Sequence, residues 1–240
     1  MSAGPLSEAQ PQPEAQPEAQ PERLAVVAAE HLGLVGPEGP VFTDVSLVVP
    51  PARVTLLVGS SGTGRSSLLL ALCGRMRGTT GTLRHQGRVV RSGRDLRGLR
   101  RVSSVARAAS FVVPEARLRV VESVTERALL DGVRPAAAER AFAAVEELLD
   151  VRLDRAALVE QLPAYEATAL CVALALVRPA DLVVLDDLDA DLDLTDQRRL
   201  LEGLVRLADT GPAVVATTTE TRSAHPDALL VPLAPPQEDR

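Results

Sequence analysis

Residues 54–72, VTLLVGSSGTGRSSLLLAL, constrain the fold of this chain more than any other stretch. Val54 to Val58 is an apolar run stopped by glycine, which reads as a buried strand. Gly59 to Gly64 reads as a tight loop, and the Leu/Ala-rich stretch from Ser66 predicts a helix. Gly59, Gly62 and Gly64 allow the backbone to curl so that successive N–H groups face one centre, and the helix adds its positive end to that concavity. The ligand it suits is a nucleoside triphosphate. The spacing G-x-x-x-x-G-K-[ST] is met at Gly59, Gly64 and Ser66, with Arg65 in the lysine position. The candidate cradle is Gly59, Ser60, Ser61, Gly62, Thr63, Gly64, Arg65, Ser66 and Ser67. Within it, Ser66 would place a hydroxyl on Mg²⁺ and Ser67 would reach a further phosphate oxygen.

The chain has 240 residues, 46% of them hydrophobic, enough for one sizeable α/β domain or one domain with a subdomain. Its longest apolar run, Ala169 to Val177, stops at Arg178 and Pro179, short of a membrane span. The N-terminus lacks the basic start and apolar stretch of a signal peptide, so the expected compartment is the cytoplasm. Cys73 and Cys171 each fall inside an apolar helical pattern and read as small buried residues. All 26 basic residues are arginine, and that compositional bias accounts for Arg65 without any functional cause.

Glu-Ala-Gln-Pro recurs at 8–11, 14–17 and 18–21. A segment so rich in proline and so poor in large apolar side chains cannot offset its ordering entropy, and residues 1–23 are expected to form a disordered tail. Residues 84–107 hold eight arginines and one acid, Asp95. With no aromatics to stack on bases, the run reads as a solvated hairpin or a face near a membrane, and no nucleic-acid partner is expected.

Along the rest of the chain, two strands flank a turn at Gly36 to Pro40, and Pro50 and Pro51 end the second. The glycine-loop helix is expected over 66–76, a turn at Gly78 to Gly81, and a hairpin at Thr82 to Val90. Helices follow near Glu122 to Leu130, Pro135 to Leu149, Asp154 to Gln161 and Pro163 to Val177. LVVLDD, residues 182–187, is an apolar strand ending in two acids. A helix from Thr195 to Asp209, with Thr195 as its cap, and strands at Ala213 to Thr217 and Ala228 to Val231 complete the pattern. Strands alternating with helices predict an α/β fold with a largely parallel sheet and a helical insert.

The order of these elements, RVTLLVGSSGTGRSSLLLALCGRM with its P-loop, LVVLDDLDADLD with its acids, and a helical insert between them, resembles an ABC transporter ATP-binding subunit over about residues 24–233. It is similar to the arginine-rich bacterial versions. The resemblance implies a P-loop NTPase of the ABC type: a mainly parallel core sheet, an antiparallel β region and a helical subdomain at about 111–178, within a domain spanning 24–240. It implies ATP and Mg²⁺ as ligands, Asp186 holding Mg²⁺ through water, and Asp187 at the position of the glutamate that polarises the attacking water. A calcium loop built on Asp187, Asp189 and Asp191 is excluded by Leu192 and Arg198 at its sixth and twelfth positions.

Other motifs of the family are altered. Its LSGGQ signature is represented by Leu162, Pro163, Ala164, Tyr165 and Glu166, with Tyr165 expected to fill space that glycine leaves open. Thr218 stands for the switch histidine, His225 lying too far on. Asp193 matches the D-loop aspartate at the dimer interface, and Arg107 to Ser110 occupies the Q-loop neighbourhood. Phe42 is a candidate to stack on adenine, with a core role favoured by its place in a strand. The implied partners are a membrane permease and a second ABC-type subunit, in a homodimer or heterodimer peripheral to the inner face of the cell membrane. Hydrolysis is expected to be slow or dependent on a more complete partner. Deleting residues 1–22 is predicted to leave the melting temperature within about two degrees, because a segment that buries little surface stabilises little; a thermal scan of the truncated chain checks it.

Overall fold

The computed structural model describes residues 25–108 and 112–235, so the expected tail lies outside the described residues. Three strands set the frame. β1 (Val27–Gly36) and β2 (Gly39–Val49) form an antiparallel hairpin, and β3 (Val54–Val58) follows the Pro50–Pro51 break. β3 is apolar except at Thr55 and is buried over Val54 to Leu57, as a strand covered on both faces must be. It leads through the glycine loop into α1 (Arg65–Leu72). α1 stops earlier than its Leu/Ala composition suggests because Gly74 is left-handed at φ 71°.

β4 (Thr79–His85) and β5 (Arg88–Val89) make the expected hairpin, but the expected turn at Gly78 to Gly81 is already the start of β4. Gly81 serves close strand approach: a Cβ there would lie 2.2 Å from the His31 carbonyl oxygen. The arginine run then contains a helix the sequence reading did not expect, α2 (Gly93–Val102). It is opened by a capping box between Ser92 and Asp95 and pinned by the fully buried Leu99. β6 (Ser103–Arg107) follows.

The insert comprises α3 (Val120–Asp131), α4 (Pro135–Leu148) and α5 (Ala164–Ala175). Asp154 to Gln161, expected as a helix, is a loop with one 3-10 turn at Val159–Gln161. The loop is tied to α3 by Val120 N–H on the Ala157 carbonyl and Val121 N–H on the Arg155 carbonyl, which takes those carbonyls away from a helical ladder. β7 (Leu182–Leu185), α6 (Leu194–Asp209), β8 (Ala213–Thr218) and β9 (Leu229–Pro232) complete the chain. Asp193, not Thr195, caps α6: its carboxylate accepts from the amides of Thr195 and Asp196.

Two sheets result. The parallel one has the order β6-β7-β8-β3-β9, and the antiparallel one β2-β1-β4-β5. One core joins a face of the parallel sheet to the insert through Phe142, Leu149, Leu170 and Leu204. The other packs the opposite face, with α1, against the antiparallel sheet through Leu68, Leu72, Leu32 and Phe42. This is the expected α/β architecture. Among the described residues, no helix is long and apolar enough to cross a membrane.

The insert contains a carboxylate that is 7% exposed. Burial pushes the Glu146 carboxyl up, but hydrogen bonds from Arg155 and the Leu153 amide outweigh it and hold it below the usual carboxylate range. Arg155 also lies over the Phe142 ring at 4.6 Å. A carboxyl held low in the fold contributes stability that is present above its unfolded pKa and lost as pH falls through the folded one. Glu146→Ala should therefore cost about 2 kcal/mol near neutrality, because it strands the Leu153 amide and part of Arg155. Urea unfolding at pH 7 and below pH 4 checks both the size of the loss and its shrinkage in acid.

Candidate functional site

The parallel sheet order places β8 between β3 and β7, so the glycine loop and the acidic loop open at the same edge, one strand apart. In the glycine loop, the Thr63 hydroxyl donates to the Ser60 carbonyl at 2.9 Å while the side chain is buried. Gly59 has no room for a side chain, since a Cβ would lie 2.6 Å from the Thr63 hydroxyl. Its N–H goes to the Thr218 carbonyl at 3.2 Å and is therefore tied to the sheet instead of the concavity. Gly62 is left-handed at φ 83° with open space around it. Gly64, at φ 74°, sits where a Cβ would meet the Val41 carbonyl oxygen at 2.3 Å. Its conformation and its contact with β2 both demand glycine, so a bulky residue there would disturb the fold before it tested any ligand. Phe42, next to Val41, is 1% exposed and belongs to the core, which removes it as a stacking platform.

Arg65 is the first residue of α1, and its side chain is 10% exposed. Nη2 faces Asp187 Oδ1 at 3.4 Å, and Nη1 is buried without a hydrogen-bond partner. A buried guanidinium nitrogen left unpaired beside a helix N-terminus is a donor waiting for an anion. The hydroxyls of Ser66 and Ser67 are partly accessible and make no hydrogen bond among the described residues. The phosphates of a nucleotide fit this donor set.

Across from it, Asp186 is fully buried and accepts from the Thr217 hydroxyl at 2.7 Å. The same hydroxyl accepts from the Asp187 amide at 2.7 Å, so Thr217 ties together the two acids that end β7. Asp187 is held left-handed at φ 45° with its side chain 42% exposed. Burial and the neighbouring Asp186 raise its carboxyl above the ordinary value, and Arg65 opposes them. The Thr218 hydroxyl is spent on the Glu220 carbonyl, and the amide and hydroxyl of Thr219 bind Asp189. His225 pairs locally with Asp227.

Three participants escaped the sequence reading. Thr217 and Thr219 lay hidden in a threonine run that held a candidate for only one position. Arg107 ends β6 and donates from Nε to the Asp186 carbonyl at 3.1 Å, from Nη2 to the Asp187 carbonyl, and from Nη1 to the Thr168 hydroxyl at 3.1 Å. It thereby joins the acidic loop to α5, although it is 79 residues from Asp186 in sequence. Tyr165, expected to fill space that glycine leaves open at the start of α5, turns into the core. It is 5% exposed, its hydroxyl donates to the Leu149 carbonyl, and Arg199 lies 4.3 Å from its ring centroid. The start of α5 presents Pro163, which is exposed and supplies no side-chain cap.

The glycine loop, β6 and the acidic loop all fall within one stretch, residues 42–190, and a sequence model described as ABC transporter matches that stretch. The chain belongs to the ABC transporter family. Over 197 residues it is 30% identical to the glutathione/L-cysteine transport system ATP-binding/permease protein CydD of Escherichia coli, a match covering 74% of this chain but 30% of that protein. Over 190 residues it is 26% identical to the hemin import ATP-binding protein HmuV of Methylobacillus flagellatus, covering 77% of this chain and 71% of that one. The cbiO1 protein of Clostridium perfringens, part of the ABC transporter complex cbiONQ, has the same fold: TM-score 0.69 at 15% identity, over 82% of this chain and 78% of that one. Arg107 is a fixed strut between the acidic loop and α5. Arg107→Ala should lower stability by about 2 to 3 kcal/mol, near 1 kcal/mol for each lost hydrogen bond. It should also speed amide exchange at Leu188 to Ala190, which hydrogen-exchange mass spectrometry would register.

Proposed function

We propose that this chain is the MgATP-binding subunit of an ABC-type transporter, working on a separate membrane permease, and that it binds ATP well while hydrolysing it slowly. The observation that carries the reading is the unpartnered Nη1 of Arg65, buried at the head of α1 between the glycine loop and Asp187. In this reading Gly62, Gly64 and the first amides of α1 receive phosphate oxygens, and Arg65 donates to a terminal phosphate. Ser66 and Asp186 hold Mg²⁺, which supplies positive charge against the phosphates when bound.

The chain's own residues also argue for low turnover. Arg65 neutralises Asp187 from within, and the aspartate is one methylene shorter than the glutamate whose place it takes. A displacement of about 1 Å can cost on the order of a hundredfold in rate. Thr218 donates to backbone, and Pro163 offers neither hydroxyl nor N–H to a partner's nucleotide. These losses fall on groups that would act in the transition state, so rate should suffer more than affinity. The same reading has the chain form a head-to-tail homodimer or heterodimer with an ABC-type subunit, peripheral on the inner face of the membrane through its permease. The cargo would be set by that permease.

Arg65→Ala should weaken MgATP binding by about tenfold or more, as expected for loss of a charge-assisted contact. Asp187→Asn should leave binding intact, and the wild-type chain should release phosphate barely above background. Isothermal titration and steady-state phosphate release check these outcomes. Robust magnesium-dependent turnover abolished in Asp187→Asn would overturn the slow-hydrolysis reading, and unchanged binding in Arg65→Ala would move the nucleotide elsewhere.

A further inference from the structure

Apart from Arg107, the arginine run plays no part in the nucleotide site. It surrounds a cavity of about 560 Å³ between the antiparallel sheet and α2, a volume in the range of small-molecule sites. Leu32, Leu83, Val90 and Leu96 supply apolar lining. Arg77, Arg91, Arg97 and Arg100 supply the charge, and no carboxylate lines the cavity. Arg100 is fixed by its Nε on the Gly74 carbonyl at 2.6 Å. Arg77, Arg91 and Arg97 are exposed, and their side chains make no hydrogen bond or ion pair among the described residues.

The acids that could neutralise this rim are used elsewhere. Asp95, the single acid of residues 84–107, accepts from the Arg91 and Ser92 amides and the Ser92 hydroxyl, which hold its carboxyl below the ordinary range. Glu30 is paired with Arg84 at 2.6 Å. Four arginines thus line one concavity in a chain whose net charge is −6. Their mutual repulsion is relieved by an anion with several acceptor oxygens, and planar guanidinium forks match phosphate oxygens in geometry. The apolar lining adds a place for a hydrocarbon body behind the charged head.

We propose that this cavity is a second anion site, separate from the nucleotide cradle, that takes a phosphorylated amphiphile: a phosphoryl head on the arginine rim and an apolar portion on the leucine and valine lining. A lipid phosphate and a soluble phosphate ester share that head. The test uses the full chain with its nucleotide cradle filled by saturating MgATP, titrated with dihexanoyl phosphatidic acid and, separately, with inorganic pyrophosphate. Arg91→Gln/Arg97→Gln is the informative variant, because neither side chain holds the fold, and its melting temperature and MgATP binding should match the wild type. Binding of either probe should fall at least about tenfold in that variant, as for the loss of charge-assisted contacts, and should persist in Arg65→Ala. It should also weaken with rising salt. Tighter binding of phosphatidic acid than of pyrophosphate supports an amphiphile, and pyrophosphate binding as tight or tighter would overturn it, because pyrophosphate has no apolar portion to place on the lining. No binding of either probe, binding that survives Arg91→Gln/Arg97→Gln, or binding that disappears in Arg65→Ala would overturn the proposal.

Discussion

The site depends on the C-terminal end of β8. Because β8 lies between β3 and β7, its last residues stand about 5 Å from each neighbouring strand and can bond to both. Thr217 donates to the Asp186 carboxylate and accepts from the Asp187 amide, while the Thr218 carbonyl takes the Gly59 amide. Valine has nearly the same shape as threonine, yet at position 217 it would leave a fully buried carboxylate without this donor and a left-handed residue without its anchor. One side chain on the central strand therefore sets where both acids stand relative to the glycine loop. The rest of the fold supplies the frame in which that is possible: two cores clamp the parallel sheet, and the Val41 carbonyl of β2 leaves Gly64 no space for a side chain.

Arginine enters this frame twice, with different consequences. At position 65 it brings a wider, planar cation to a loop whose motif carries a compact ammonium, and the extra reach lets Nη2 touch Asp187 while Nη1 remains unpaired. The Arg65 charge is thus partly balanced by Asp187, and a phosphate at the proposed site would compete with Asp187 for the same guanidinium. At position 107 the fork is spent on two backbone carbonyls and a threonine hydroxyl, so this end of β6 is a rigid tie between the acidic loop and α5. The chain contains no lysine, so the cation at both positions is a guanidinium.

What could be read in the sequence was whatever is local. The strand, glycine loop and helix of residues 54–72 declare themselves by an apolar run, three glycines and a Leu/Ala stretch, and the acidic strand does so by four apolar residues before two aspartates. α2 was also legible in principle, since Ser92 and Asp95 stand at capping-box spacing ahead of Leu96 and Leu99, but the arginines drew the reading toward a charged surface. Thr195 as the cap places the start of α6 slightly late; both residue types cap well, and the carboxylate's bonds to two amides put the cap at Asp193. The contacts of Arg107, Thr217 and Tyr165 had no such signal. Each spans 16 or more residues to a backbone group or a carboxylate, and no periodicity encodes a partner that only the sheet order brings near.

The start of α5 shows why an altered motif need not mean a collapsed one. Tyr165 takes its ring and hydroxyl into the core against Leu149 and Arg199, so the helix is anchored more firmly than a glycine in that position would allow. Its orientation, and with it the positive end of its dipole, is kept by packing and by the hydrogen bonds of Tyr165 and Thr168, since Pro163 provides no side-chain cap. The field of the helix, which favours an anion in ground and transition state alike, survives the change. The directed hydroxyl and N–H, which would discriminate between those states, do not. On the proposed function, an element that keeps the first and loses the second would contribute to holding a nucleotide more than to cleaving it, and the Arg65–Asp187 pair would bias its own half-site the same way.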